Sequence, residues 1–199
     1  MSQSIEFFFD FSSPYGYLAS HLIDDLGAKH GRTVTWKPIL LGAIFKLTGS
    51  GPLPSIPLKG AYSLHDFPRT ARLLGVPFQM PQPFPFSSVA AVRAFYWLNQ
   101  TDPEAAHDLA RKLYDFSFSG NDMSAPAAVA AQAQAIGIDP AALLAAIDTT
   151  EAKDRARAEN DAAIARGVFG SPYIVVDGEP FWGVDRLPHV ERWLETGGW

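Results

Sequence analysis

Apolar positions change their period twice within the first forty residues. The run Ile5-Glu6-Phe7-Phe8-Phe9-Asp10-Phe11 reads as a strand. After Ser12-Ser13-Pro14, Leu18, Leu22 and Leu26 recur four apart with Ile23 beside them, which predicts one helix from Pro14 to about Lys29, stopped by Gly31. Thr33-Val34-Thr35-Trp36 is β-branched and aromatic again, so Ile5 to Trp36 reads as a βαβ unit with a right-handed crossover. The middle of the chain differs. Segments 49–57 and 77–88 are loops rich in Gly, Pro and Ser, the second with four prolines and several aromatic residues. Around them lie alanine-rich helical segments with start signals at Ser88, Asp102-Pro103-Glu104, Ser124 and Asp139-Pro140, and stops at Gly75, Gly137 and Gly167. Strand character returns at Tyr173-Ile174-Val175-Val176, and Asp177-Gly178 before Pro180-Phe181-Trp182 signals a hairpin. A last helix runs from Leu187 to Leu194. The order β-α-β, helices, β-β-α predicts an α/β fold: a discontinuous thioredoxin-like domain, residues 1–45 and 156–199, with a large all-helical insertion over 46–155.

Composition narrows the function. A net charge of -5 with no Lys/Arg cluster argues against a nucleic-acid partner. Met1 to Asp10 carries neither a basic leader nor a cleavage site, and Phe7-Phe8-Phe9 is too short to span a bilayer, so a cytoplasmic protein without membrane attachment is expected. The five histidines are scattered without ligand-like spacing, and no metal site is expected. There is no cysteine, which removes disulfides, thiolate metal sites and a protein-borne thiol nucleophile.

That absence bears on Ser12-Ser13-Pro14-Tyr15. A strand that turns into a helix aims free backbone N–H groups at whatever sits above it, a place to hold an anion. Ser13 suits the N-cap and Pro14 the first helical position. In a thioredoxin-type fold this junction carries a redox cysteine pair; here a reacting thiol has to arrive as a ligand, and protein disulfide exchange is excluded. A plain structural cap, with Tyr15 as a core or rim aromatic, fits the same residues. Gly170-Ser171-Pro172-Tyr173 places a proline at a strand mouth, where a cis bond would leave the Ser171 backbone free to pair with a ligand's peptide group; a simple strand-entry proline is the other reading. Asp185 and Arg186 either cap the last helix or suit the charged end of a peptide-like ligand.

Taken in order along the chain, these stretches resemble a known family. Phe9-Asp10-Phe11-Ser12-Ser13-Pro14-Tyr15-Gly16-Tyr17-Leu18 is similar to the opening motif of the DsbA-like branch formed by 2-hydroxychromene-2-carboxylate isomerases and kappa-class glutathione transferases. Lys37 to Phe45, Lys59-Gly60-Ala61-Tyr62, Asp66-Phe67-Pro68-Arg69, Gly75-Val76-Pro77-Phe78, Gly167 to Pro172 and Trp182-Gly183-Val184-Asp185-Arg186 follow the same pattern over nearly the whole chain. One departure is Ser55-Ile56 before Pro57-Leu58-Lys59, where the isomerase branch usually has Asn.

The resemblance implies glutathione as cofactor and a small aromatic substrate as partner, with a homodimer as a further possible assembly. Ser13 would meet the glutathione sulfur as the catalytic serine, with Tyr15 beside it. Ser171 and Pro172 would pair with the cysteinyl portion, Asp185 and Arg186 would hold the γ-glutamyl end, and Lys46, Lys59 and Tyr62 would face the substrate. The implied activity is cis-trans isomerisation of a 2-hydroxychromene-2-carboxylate through transient thiolate addition. Lowering a thiol pKa from about 8.5 to about 6.5 raises the thiolate roughly 25-fold at pH 7. A Brønsted slope of about 0.4–0.5 returns roughly 8-fold of that, so positioning must supply most of the rate. A kappa-type transferase or peroxidase is the alternative within the family, and a non-catalytic binder of apolar ligands the alternative outside it.

Overall fold

The structure, a computed structural model, describes residues 4–199; residues 1–3, the start of the segment searched for a leader, lie outside the described residues. β1 (Ile5–Phe9) pairs in parallel with β2 (Val34–Pro38), Ile5 opposite Val34 and Phe9 opposite Pro38. On its other side β1 pairs antiparallel with β3 (Tyr173–Val176), which pairs antiparallel with β4 (Glu179–Trp182), giving the order β2-β1-β3-β4. The two inner strands are buried on both faces, which is why their sequences are nearly unbroken apolar runs. Phe7 and Phe9 enter the larger core, while Phe8 faces the smaller one with Ile39, Ile44 and Tyr173. Asp177 and Gly178 both adopt positive φ, 53° and 94°, as the tight hairpin turn between β3 and β4 requires.

The helix expected over residues 14–29 is two: α1 (Pro14–Ser20) and α2 (Ile23–Lys29). At the break the Leu22 N–H bonds the Ala19 carbonyl, a tightened three-residue return, and the Ser20 hydroxyl donates to the Tyr17 carbonyl. Leu18 and Ile23 are thereby fully buried, while Leu22 and Leu26 stay half-buried along a groove. Next come α3 (Leu41–Thr48), α4 (Lys59–Leu74), α5 (Val89–Leu98), α6 (Pro103–Ser117), α7 (Pro126–Gln134), α8 (Pro140–Asp148) and α9 (Thr150–Ala165), and α10 (Leu187–Thr196) closes the chain.

Asp102 and Asp139 cap α6 and α8 through the amides of Ala105 and Ala141. Ser88 and Ser124 mark helix starts without capping them. The Ser88 hydroxyl turns to the Asp10 carboxylate and that of Ser124 to Asp122. The boundaries read at residues 45/46 and 155/156 fall inside α3 and α9. One core joins the sheet to the helices, with Phe9, Phe11 and Trp36 packed among Phe95, Leu109 and Tyr114. Among the described residues, no helix is long and apolar enough to cross a membrane.

Candidate active site

Asp10, just past β1, ties three segments together. Its carboxylate accepts from the Ser12 amide and hydroxyl at 2.8 Å each and from the Leu41 amide at 2.7 Å. Its own N–H donates to Ser171 Oγ at 3.0 Å, and its carbonyl accepts from the buried Tyr114 hydroxyl at 2.9 Å. Burial pushes the Asp10 carboxyl upward against the hydrogen bonds from Ser12, Leu41 and Ser88. The turn from β1 into α1 is thus fixed from beneath.

Ser13 is the N-cap of α1: its Oγ accepts from the Gly16 amide at 3.0 Å. The same hydroxyl donates to the Ser171 carbonyl at 3.0 Å. This closeness depends on Gly16, where a Cβ would lie 2.6 Å from the Tyr114 hydroxyl and 2.7 Å from Ser171 Oγ. The Ser171–Pro172 peptide bond is cis. The Ser171 carbonyl, expected from sequence to be free for a ligand, is taken by Ser13. The two groups nominated for a peptide-like thiol therefore satisfy one another.

A cleft of about 1070 Å³ opens beside this pair, between α1 and α2, α4, and the segment from Trp182 into α10. Of the residues nominated from sequence, Tyr15, Tyr62, Ser171, Asp185 and Arg186 line it. Ser13, only 7% exposed, reaches it through Ser171, and Pro172 is buried at the entry to β3. Lys46 in α3 and Lys59 at the start of α4 are exposed and do not line it. Asp185 does not cap α10. It sits in a short 3-10 turn with its carboxylate 3.5 Å from the Arg186 guanidinium, and a Cβ on Gly183 (φ 112°) would strike its Oδ1 at 2.3 Å.

Sequence reasoning gave no role to Asp66, Arg69 or Trp182. Tyr62, Asp66 and Arg69 lie on one face of α4, a spacing visible in the sequence. The Tyr15 hydroxyl donates to Asp66, as does Arg69, and Thr70 Oγ1 lies 3.2 Å from the same carboxylate. Arg69 Nη2 also donates to the Tyr62 hydroxyl at 2.9 Å. Desolvation works to raise the Asp66 pKa, but the bonds from Tyr15 and Arg69 prevail and hold it below the usual carboxylate range. Burial, reinforced by Asp66, pushes the Tyr15 phenol well above its ordinary value, so it stays a neutral donor.

Among the described residues, one group has the composition of a metal site: His30, Glu191 and Glu195, with ligand atoms within 4.8 Å of one another. Lys29 pairs with Glu191 there and already supplies a positive charge.

The strand order, the helical insert and the serine at the α1 start define the class. The chain belongs to the DSBA-like thioredoxin domain family, whose model matches residues 4–195, and within it to the 2-hydroxychromene-2-carboxylate isomerase family. The 2-hydroxychromene-2-carboxylate isomerase of Sphingobium xenophagum is 30% identical over 98% of this chain and 99% of that protein. The kappa 2 glutathione S-transferase of Caenorhabditis elegans is 28% identical over 96% and 91%. A solved 2-hydroxychromene-2-carboxylate isomerase superposes with a TM-score of 0.85 at 27% identity, over 97% of this chain and 95% of that one.

Proposed function

We propose that the protein is a glutathione-dependent cis-trans isomerase that interconverts 2-hydroxychromene-2-carboxylate, or a related aromatic hydroxychromene, with trans-o-hydroxybenzylidenepyruvate in aromatic hydrocarbon catabolism. The observation that carries this reading is the hydrogen bond between Ser13 Oγ and the Ser171 carbonyl at the cleft wall. A peptide-like thiol would replace one internal bond by two, with the hydroxyl turning to sulfur and the carbonyl accepting a ligand N–H. The family's glutathione-named relatives support the same ligand.

When bound, glutathione would supply a nucleophilic thiolate whose reversible addition removes the double bond that blocks rotation. Everything else falls to the chain's own groups. Ser13 keeps its Gly16 cap bond and donates a hydrogen bond to the ionised sulfur while retaining its proton; among the described residues its hydroxyl bonds the Gly16 amide and the Ser171 carbonyl and no base that would make it a nucleophile. The first turn of α1 contributes the Tyr15 N–H, since Pro14 has none and the Gly16 and Tyr17 amides are bonded to Ser13, together with the positive end of its dipole, which favours the ionised sulfur. Asp185 and Arg186, paired loosely and exposed, offer a carboxylate and a guanidinium to an amino-acid end. The leucine walls exclude water from an aromatic ring.

A glutathione-dependent absorbance assay on hydroxychromene carboxylate tests the reading. Turnover with glutathione regenerated, and impaired in Ser13→Ala, supports it. Stoichiometric consumption of glutathione would make the protein a transferase, and absence of any glutathione-dependent rate would leave a binder.

A further inference from the structure

We propose that His30, Glu191 and Glu195 bind a divalent transition-metal ion, of which zinc suits the donors best, and that the ion ties the end of α2 to α10. The proposal goes beyond the isomerase reading and is independent of it, since neither a glutathione thiol nor the Ser13 turn enters it.

His30 follows directly on α2, and its backbone is fixed. Its N–H bonds the Gly27 carbonyl at 3.0 Å, and the Arg32 N–H returns to the same carbonyl at 2.9 Å. The Nε2 atom of the ring is buried, yet it bonds no described residue. A buried ring nitrogen without a partner is unusual, and an ion is one of the few things that completes it. This nitrogen faces Glu191, whose Oε1 lies 3.9 Å away, too far for a hydrogen bond. Glu195 stands one turn beyond Glu191 on the same face of α10. One ligand atom from each of the three residues lies within 4.8 Å of the other two. Ligands held tetrahedrally at about 2.0–2.1 Å from zinc lie about 3.4 Å apart, so the ends of the two glutamates have only to close inward on a stationary imidazole.

Lys29 is the cation at this place, bonded to Glu191. It is 63% exposed and held by that one contact, and an exposed pair of this kind contributes little, so the ammonium yields readily to an ion. A single ammonium answers half the charge of two carboxylates and leaves the imidazole nitrogen unpaired, whereas a divalent metal answers both. The donor set selects the metal. Imidazole disfavours calcium and magnesium, which take oxygen ligands, and the absence of thiolate disfavours copper(I). Three protein ligands leave zinc a fourth position for water. His107 with Asp24 is the contrasting case, because Trp36 and Arg111 already donate to that carboxylate. The sequence shows no ligand-like spacing because the imidazole and the carboxylates come from opposite ends of the chain.

The test uses zinc alone, with glutathione absent because its thiol binds the metal. The full-length protein is stripped with a chelator, dialysed and titrated with zinc chloride by calorimetry. One ion per chain is expected. His30→Gln and Glu195→Gln should each weaken it by about tenfold or more. Glu195 is exposed, so a loss in its variant is not a loss of folding. Lys29→Met should bind several-fold more tightly, because the competing ammonium is gone, and His189→Gln, which removes an exposed histidine of the same helix, should change nothing. Zinc should raise the melting temperature of the wild-type protein and not that of Glu195→Gln. The absence of saturable binding would overturn the proposal, as would an affinity kept in His30→Gln, an equal loss in His189→Gln, or weaker binding by Lys29→Met.

Discussion

At the scale of single residues, Ser13 joins stability to chemistry through one oxygen that accepts from Gly16 and donates to Ser171. Ser13→Ala removes the cap and leaves the Ser171 carbonyl without its partner, which should lower stability by about 1–2 kcal/mol in urea unfolding. In the same variant the thiol of bound glutathione should titrate at higher pH, followed by thiolate absorbance; an unchanged titration would remove Ser13 from contact with sulfur. Glu6 offers a residue-scale prediction away from the cleft. The Arg166 guanidinium is the strongest influence on it, and with Lys37 it overcomes burial and brings the carboxyl from 4.5 down to about 2. A lowered folded pKa means that the proton favours the unfolded chain, so this contribution is complete above pH 4.5 and is lost as pH falls toward 2. Glu6→Gln should flatten the stability profile across that interval, and an unchanged acid limb in urea melts would count against the pairing.

At the scale of elements, the approach of α1 to the Ser171 loop is what places the Ser13 hydroxyl, and Gly16 permits it. Gly16→Ala puts a methyl group against Tyr114 and Ser171, both held by bonds to Asp10. The helix must retreat, and a loss of roughly 1–3 kcal/mol with a clear fall in turnover is expected. Gly42→Ala in α3 is the contrast, because nothing lies within 4 Å of its added Cβ. It should stabilise by up to about 1 kcal/mol through helix propensity and leave turnover alone. Much at this scale was legible in the sequence. The change of period at Ser12-Ser13-Pro14, the Asp177-Gly178 hairpin and the caps at Asp102 and Asp139 are local, and each appears where local physics puts it. What was not legible depends on distant partners. The hydroxyl of Ser88 leaves its helix for Asp10, α1 and α2 part where Ser20 bonds back to Tyr17, and Tyr15 meets Asp66 across 51 positions of sequence. Lys46 and Lys59 show the converse. Position within a motif nominated them, but only packing decides whether a side chain reaches the cleft.

At the scale of the molecule, the question is whether the sheet and the helices between its halves can come apart. Phe9 in the central strand β1 meets Trp36 at 5.2 Å, Phe95 of α5 at 6.4 Å and Tyr114 of α6 at 5.4 Å between ring centres, so one aromatic cluster belongs to both parts. Neither part would keep a closed core without the other, because removing the helices exposes the face of β1 that Phe7 and Phe9 occupy. Urea unfolding should therefore be a single transition, with tryptophan fluorescence and far-UV circular dichroism coincident. Phe95→Ala, made in the helical part, should cost about 3–5 kcal/mol and move both probes together. The cleft strengthens the expectation, since its walls come from α1, α4 and the β4–α10 segment, so a ligand held between them stabilises the sheet and the helical part as one unit. Two separated transitions, or a glutathione-induced shift in only one probe, would mean that the helical part folds and binds apart from the sheet, and Ser13 would then lose the rigid support from Asp10 and Tyr114 on which its placement depends.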